Sequence, residues 1–292
     1  MDKNHIFMSG EFKVSMKLVF STLNWSHTMS ANRLVLTKGG FRRSNVSEVL
    51  KGVIYYHRTE DYDIELDNLN FLISNNFPCW PDPKQLLSMS DRHKVLKDCV
   101  DSGLVNHPVF QGTYGDYIRN NEHYDLRISD KTTYPDLRRP KIPFPFVLKT
   151  GQEHRGEGKF LIEKEEDVPK WEEIASIEPF FIGQSCRVLF IGEKYFVIKY
   201  DNPNSWIKNS AGADVEIWED YPKELSEHAK LVRDQFDLEI TGIDYVVGTD
   251  GIHFLEINQF PGLDISDESV EVARHLFKQK MDLVEKMPSM KP

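Results

Sequence analysis

The sequence predicts a mixed α/β protein of the α+β type. It is expected to contain more than one structural unit. Segments of strand and helix character alternate over the first hundred residues, and strands dominate the chain from residue 145 onward. A two-stranded hairpin at residues 242–258 and a long helix at residues 267–285 complete the pattern. The 292 residues, of which 40% are hydrophobic, suffice for one large domain or two to three small ones.

The N-terminal elements follow from short apolar runs and the residues that interrupt them. Residues 16–21 form the first predicted strand, so the residues before them are a candidate extension. Residues 52–58 form the second strand, because they are rich in β-branched and aromatic side chains. The mixed apolar spacing of residues 64–75 predicts a helix, and the prolines within residues 77–83 predict a loop.

The remaining elements begin with a helix that starts at Ser90 and Asp91 and stops at Gly103. The other predicted elements are a strand at 145–149, a polar loop at 150–158, a strand at 159–162, a helix at 168–177, strands at 186–190 and 194–200, and a helix at 224–236.

The composition excludes several classes of protein. A net charge of -10 and a pI of about 5.5 disfavour nonspecific nucleic-acid binding. No apolar run approaches the roughly 20 residues of a membrane helix, and the first residues lack the apolar core of a signal peptide. Cys79, Cys99 and Cys186 are widely spaced and lack metal-binding spacing, which predicts a reducing, cytoplasmic location.

Three oxygen-bearing side chains converge on one face of the predicted hairpin. Strand neighbours two apart share a face, so Glu256 and Asn258 point the same way, and Asp244 lies opposite Glu256 if the chain turns about Asp250. The other face carries an apolar set, Ile243, Tyr245, Val247, Leu255 and Ile257. Oxygen ligands suit a hard cation such as Mg²⁺. An ordinary solvated acidic face is the alternative interpretation.

A lysine and a glycine-bearing loop form a second candidate site. Lys149 ends an apolar strand, and the loop after it contains Gly151, Gly156 and Gly158. Glycines let backbone N–H groups approach phosphates, and a neighbouring lysine neutralises their charge. The alternative is a hairpin loop that needs glycines only for its turn.

Three further segments carry polar or aromatic groups suited to a nucleotide. The apolar linker 178–181 could stack an adenine ring, or could be a plain core linker. Arg187, on a predicted strand, could clamp a carboxylate or phosphate, although a surface ion pair is the usual role of such a residue. Lys208 and Asn209 are candidate phosphate contacts in an irregular loop, where such residues are commonly only solvated.

Taken in order, these motifs resemble those of the ATP-grasp superfamily, and in particular its ribosomal-protein glutamate ligases and microviridin-type peptide ligases. Residues 146–158 resemble the nucleotide lysine and glycine loop of that family, and residues 178–181 resemble the hinge that receives adenine. Residues 242–262 resemble the metal hairpin and its exit.

The resemblance implies an ATP-grasp fold of three subdomains. A pre-ATP-grasp α/β domain would span residues 1–104, a central lobe with the glycine loop residues 105–182, and a lobe with the metal site residues 183–292. The two lobes would clasp ATP between them.

The resemblance also assigns roles to individual residues. Lys149 would hold the α- and β-phosphates, and Arg187 would stabilise an acylphosphate and a tetrahedral intermediate. Lys208 and Asn209 would contact the γ-phosphate or the metal. The implied metal ligands for Mg²⁺, or alternatively Mn²⁺, are Asp244, Glu256 and Asn258. Further implied nucleotide contacts are Arg92, Lys94, Gly156, Gly158, Glu178, Pro179, Phe180, Phe181 and Ser185.

Two positions depart from the family pattern. Ser185 stands where an acidic residue often holds the ribose, and Gln184 is a candidate substitute. The family usually has Asp-Lys near the start of the helix, whereas here Asp91 is followed by Arg92, His93 and Lys94, so either Arg92 or Lys94 is the nucleotide contact.

The implied activity is that of an ATP-dependent, ADP-forming carboxylate–amine ligase that acts through an acylphosphate. The expected partners are ATP, a carboxylate substrate and an amine or hydroxyl acceptor, which could be an amino acid, a peptide or a protein. A nucleotide-binding regulator without ligase activity and a phosphotransferase are the alternatives. The sequence specifies neither the substrates nor the oligomeric state.

Overall fold

The computed structural model describes most of the chain from residue 82 onward and several short segments before it. The described residues are 6–9, 36–37, 40–41, 53–56, 66, 69–70, 73–74, 79–80, 82–120, 142–151, 158–210, 212–259 and 261–285. The strand predicted at 16–21 and Gly156 of the predicted phosphate loop lie outside these residues. Within them, no helix is both long and apolar enough to cross a bilayer.

Three of the five described N-terminal strands form a parallel sheet. Its order is β1 (Ile6–Ser9), β4 (Val53–Tyr56) and β5 (Cys79–Trp80), and a separate hairpin joins β2 (Leu36–Thr37) to β3 (Gly40–Phe41). The second predicted strand is therefore confirmed. The prediction that the residues before 16 form an extension is wrong, because β1 pairs with β4 along its whole length.

The segment predicted as a loop at 77–83 is also corrected, since it contains β5 and the start of a helix. Helix α1 (Pro83–Ser88) begins at a proline, which fits the first turn because its missing N–H would have no partner there. The Asp82 side chain caps this helix by accepting a hydrogen bond from Lys84 N at 2.8 Å. The described residues within the predicted helix at 64–75 are helical.

Helix α2 (Arg92–Asp101) confirms the helix predicted after Ser90. The Asp91 side chain caps its N-terminus by accepting from the backbone N–H groups of His93 and Lys94 at 2.9 and 3.2 Å. Gly103, with φ of +72°, follows its end.

An antiparallel four-stranded sheet forms the middle of the chain. Its order is β6 (Phe110–Gly112), β9 (Ala175–Pro179), β7 (Phe146–Thr150) and β8 (Lys159–Ile162). The helix predicted at 168–177 is wrong. Residues 168–174 form neither helix nor strand, and residues 175–177 begin β9, a central strand paired on both sides, whose tertiary contacts override the weak helical pattern.

An antiparallel five-stranded sheet forms the C-terminal part. Its order is β12 (Asp214–Ile217), β11 (Lys194–Asp201), β10 (Gln184–Ile191), β13 (Ile240–Gly248) and β14 (Gly251–Asn258). The edge strand β12 was not predicted from the sequence; all four of its residues are exposed, so its two apolar residues, Val215 and Ile217, lie outside the core. The predicted strands and helices here are otherwise confirmed, with helices α3 (Lys223–Gln235) and α4 (Asp267–Glu285).

The hairpin of β13 and β14 has the predicted pairing of Asp244 with Glu256. It achieves this through a β-bulge, because Tyr245 pairs with Phe254 and the extra residue, Leu255, has no partner on β13. Leu255 is therefore wrongly placed in the predicted apolar face. Phe254, which is buried in the core, takes that place.

Two hydrophobic clusters hold these sheets. One cluster packs α2 and α3 against the five-stranded sheet, with Cys99, Val188 and Tyr245 fully or almost fully buried. The other packs the helical residues 114–120 against the four-stranded sheet. Because α2 shares a cluster with the C-terminal sheet, the proposed boundary at residue 104 divides residues that pack together.

Candidate functional site

Lys149 and Glu178 form a buried ion pair on the four-stranded sheet. Lys149 Nζ lies 2.6 Å from Glu178 Oε1 and donates to the backbone oxygen of Leu255, at the bulge, at 3.3 Å. Burial lowers the pKa of Lys149, an effect that the Glu178 carboxylate opposes. Burial alone would raise the pKa of Glu178, but Lys149 and His107 outweigh it and lower that pKa to about 2. The pair is therefore charged and links the two sheets.

The segment after β9 supplies aromatic rings. Phe181 stacks on His253 of the hairpin with 3.9 Å between ring centroids, and His107 meets Phe181 edge-on at 4.8 Å. Phe180 N donates to a backbone oxygen, that of Pro145, at 3.1 Å. Of the four residues predicted at the hinge, only Glu178 directs a charged side chain at Lys149; Pro179 is the last residue of β9.

Arg187 and Asp244 form a bidentate ion pair between neighbouring strands. Arg187 Nε and Nη2 donate to Asp244 Oδ1 and Oδ2 at 2.6 and 2.8 Å, and Asn209 Nδ2 donates to the same Oδ2 at 3.1 Å. Burial disfavours the guanidinium, but Asp244 outweighs this and raises the pKa of Arg187. Within the described part of the chain, Arg187 Nη1 has no hydrogen-bond partner, so one donor remains for a ligand.

Glu256 lies across the ladder from Asp244 and is held by two cations. Lys159 Nζ donates to both carboxylate oxygens at 3.1 and 2.9 Å, and Arg92 Nη2 donates to Oε2 at 3.2 Å. Burial favours protonation of Glu256, but these cations and Lys149 outweigh it and hold its pKa well below the usual value. Burial is the main cause that raises the pKa of Asp244, against the pull of Arg187.

The predicted metal ligands thus share one face of the sheet, since Asn258 is two residues along the strand from Glu256. Two carboxylates and one amide are an oxygen-only set, which fits Mg²⁺ with further ligands from phosphates and water. Among the described residues, no cluster of three or more His, Cys, Asp or Glu side chains offers a different metal site.

Other predicted site residues lie at the rim of this patch. Arg92 reaches Glu256, whereas the neighbouring Lys94 is exposed. Lys208 Nζ donates to the backbone oxygen of Asn202 at 2.8 Å, so in this structure its ammonium group is bound within its own loop.

Ser185 pairs with Tyr200 on one side and with Val246 on the other, which places it on the face of Arg187. Gln184, the candidate substitute for a ribose contact, donates through its amide to the backbone oxygens of Ser185 and Tyr200.

The described ends of the glycine loop form a hairpin. Gly151 and Gly158 have φ of +62° and +66°, and Gly158 O accepts from Thr150 N at 2.8 Å. These positive angles favour glycine, so the turn alone accounts for both residues.

Three residues of the site were not among those predicted from the sequence. Lys159 pairs directly with Lys149 in the ladder and reaches Glu256. Tyr200 lies under Arg187, with its ring centroid 5.7 Å from the guanidinium carbon. His107 lies 3.6 Å from Glu178. Of these three, only Lys159 could have been found from the sequence. If the loop 150–158 closes a hairpin, Lys159 lies opposite Lys149.

This chain is similar to known proteins in its structure. No family model and no curated protein matches the sequence. D-alanine–D-alanine ligase from Bacillus anthracis superposes with a TM-score of 0.60 at 14% identity, covering 97% of this chain and 99% of that one.

Two further solved structures are similar to the same extent. A RimK domain ATP-grasp protein from Sphaerobacter thermophilus gives a TM-score of 0.64 at 13% identity, covering 94% and 98%. The ATP-grasp ligase PsnB, complexed with minimal precursor, Mg and ADP, gives 0.62 at 13% identity, covering 96% and 99%. This chain therefore has the ATP-grasp fold.

Proposed function

We propose that the protein is an ATP-dependent, ADP-forming carboxylate–amine ligase. One observation carries the proposal: two sheets bring together a buried lysine, an arginine whose Nη1 has no hydrogen-bond partner among the described residues, and two adjacent carboxylates. That combination suits phosphoryl transfer to a carboxylate, which depends on positioning and on neutralisation of charge.

The nucleotide would lie between the two sheets, with its phosphates toward Lys149. The lysine is held in place by Glu178 and Leu255 O, so its charge is oriented before the ligand arrives. The rings of Phe181 and His253 offer an apolar wall for the base. Asp244, Glu256 and Asn258 would hold Mg²⁺, which when bound neutralises charge on the phosphate oxygens.

We propose that Arg187 contacts the reacting groups. A substrate carboxylate oxygen attacks the γ-phosphorus of ATP and ADP leaves, which gives an acylphosphate. An amine then attacks the acyl carbon, and inorganic phosphate leaves as the amine loses a proton. Asp244 fixes the plane of the guanidinium, so Nη1 is the donor available to the developing negative charge in both steps.

The class of acceptor is proposed from the solved structures to which this chain is similar. One neighbour is described as a D-alanine–D-alanine ligase, and another is bound to a peptide precursor. We propose an amino acid, peptide or protein acceptor for this chain, and a cytoplasmic location consistent with the free, buried thiols of Cys99 and Cys186.

The test combines binding with turnover. Purified protein with Mg²⁺ should bind ADP by calorimetry and should release phosphate from ATP when amino acids and peptides are supplied. Arg187→Met should abolish release while it preserves ADP binding, and Lys199→Met, which removes an ion pair to Glu216 outside the site, is the matched control. Binding without release in any acceptor pool would indicate a nucleotide-binding regulator, and a stable phosphorylated product would indicate a phosphotransferase.

A further inference from the structure

Two lysines lie directly opposite each other at the base of the loop 150–158. Lys149 and Lys159 are paired across β7 and β8, and their side chains are only 7% and 12% exposed. Like charges in such a pair destabilise a sheet unless each has a counterion. Glu178 is the counterion of Lys149, and Glu256 is that of Lys159.

The counterion of Lys159 is a proposed metal ligand. Both oxygens of Glu256 accept from Lys159, and one also accepts from Arg92. A cation that coordinates Glu256 must therefore compete with two protein cations already bound to the same carboxylate.

The surrounding charge makes this competition severe. Among the residues that the structure describes, the ion pairs of the site join four cations, Lys149, Lys159, Arg92 and Arg187, to three carboxylates, Glu178, Asp244 and Glu256. A divalent ion that arrives alone adds to this positive excess, whereas nucleotide phosphates remove it. Because these groups are largely buried, solvent screens them weakly.

We propose that Lys159 is a positioning residue that occupies Glu256 until nucleotide phosphates draw its ammonium group away, so that nucleotide and metal binding are coupled through this lysine. The inference rests on the proposed function. The long, flexible stem of Lys159 allows the exchange, because Lys159 is paired with Lys149 in the ladder and its ammonium can turn from Glu256 toward phosphates bound at Lys149.

The coupling has a reciprocal consequence. If nucleotide releases Glu256 for the metal, the metal must by the same factor favour the nucleotide. Removal of the Lys159 ammonium should free Glu256 in the absence of nucleotide and should at the same time remove one positive charge that attracts phosphate. Metal alone should then bind more tightly and nucleotide alone more weakly.

The experiment measures both affinities separately and together. Mn²⁺ serves as the probe, with the free ion followed by electron paramagnetic resonance, and ADP binding is measured by calorimetry with and without Mn²⁺. Lys159→Met keeps the length and apolar stem of the side chain. We expect this variant to bind Mn²⁺ alone about 5-fold or more tightly than wild type, to bind ADP alone more weakly, and to lose most of the mutual enhancement.

Two further variants separate charge from structure. Lys159→Arg keeps the positive charge and should bind Mn²⁺ alone as weakly as wild type does. Lys199→Met should behave as wild type, because the ion pair of Lys199 with Glu216 lies outside the site. If Lys159→Met does not fold, Lys159→Gln, which keeps a polar head without charge, gives the same comparison.

The outcomes distinguish this inference from the proposed function. Wild-type protein that binds neither ADP nor Mn²⁺ with ADP would contradict both. Wild-type protein that binds them normally, with unchanged or weaker binding of Mn²⁺ alone in the uncharged Lys159 variants, would overturn the role of Lys159 and leave the ligase proposal intact.

Discussion

Replacement of Glu178 by glutamine tests the central electrostatic feature of the site. The variant keeps the shape of the side chain but leaves the Lys149 ammonium, 7% exposed, without the carboxylate that lies 2.6 Å away. Removing one partner of a buried pair is strongly destabilising, by about 3–5 kcal/mol, because the remaining charge stays desolvated.

The pKa of Glu178 gives an independent magnitude. Lys149 and His107 lower it from 4.5 to about 2 against the effect of burial, and at about 1.36 kcal/mol per pKa unit this is worth about 3 kcal/mol. A carboxyl group with a depressed pKa stabilises the fold above its unfolded pKa, about 4.5. That contribution is lost as the pH falls from about 5 toward 2.

The assay is urea unfolding of wild type and Glu178→Gln, followed by tryptophan fluorescence and circular dichroism between pH 7 and pH 3. We expect the variant to be about 3 kcal/mol less stable at pH 7, and to lose less stability on acidification than wild type does. Equal stabilities at pH 7, or parallel pH profiles, would refute the assignment of a charged and stabilising buried pair.

Three further predictions concern other parts of the site and its supports. Gly242→Ala places a Cβ 2.7 Å from Arg187 Cδ, so it should displace the guanidinium. We expect phosphate release to fall by about tenfold or more while the melting temperature stays near that of wild type, and unchanged release would contradict this. His228 is hydrogen-bonded at both ring nitrogens, and burial lowers its pKa. On acidification this imidazole is protonated in the unfolded chain before it is protonated in the folded one, so the free energy of unfolding should fall as the pH drops below about 6.5. His228→Gln should reduce this pH dependence in urea unfolding. Asp91→Ala should cost about 1 kcal/mol by removing the α2 cap, whereas Asp91→Asn should cost much less, and equal losses would count against capping.

The hairpin illustrates how far periodicity reaches. Alternation along the sequence predicted that Asp244, Glu256 and Asn258 share a face, and the ladder confirms the pairing of Asp244 with Glu256. The prediction assumed a regular register about Asp250. The chain instead turns tightly, with Gly248 opposite Gly251, and the bulge at Leu255 restores the predicted pairing. A bulge leaves little trace in one sequence, because it depends on how the two strands twist against their neighbours.

The β9 segment shows the opposite result. Residues 175–177 were predicted as the end of a helix and residues 178–179 as part of a linker, yet Ser176 and Glu178 lie on a central strand that pairs with the strand of Lys149. Local spacing could not reveal this, since the strand is stabilised by partners about 30 and 65 residues earlier in the chain, β7 and β6. The same failure concealed the ion pair of Lys149 with Glu178.

The sequence by itself predicted helix α2, strands β7, β8, β10 and β11, helix α3 and the ends of helix α4, and the ATP-grasp resemblance identified a set of polar groups. These follow from local patterns and from motif order along the chain. Only the tertiary structure decided how the charges are paired: Lys149 with Glu178, Lys159 and Arg92 with Glu256, and Arg187 with Asp244. Each pair joins different strands or helices, and electrostatic energy depends on distance in space and on burial, neither of which is written in the spacing of residues along the chain.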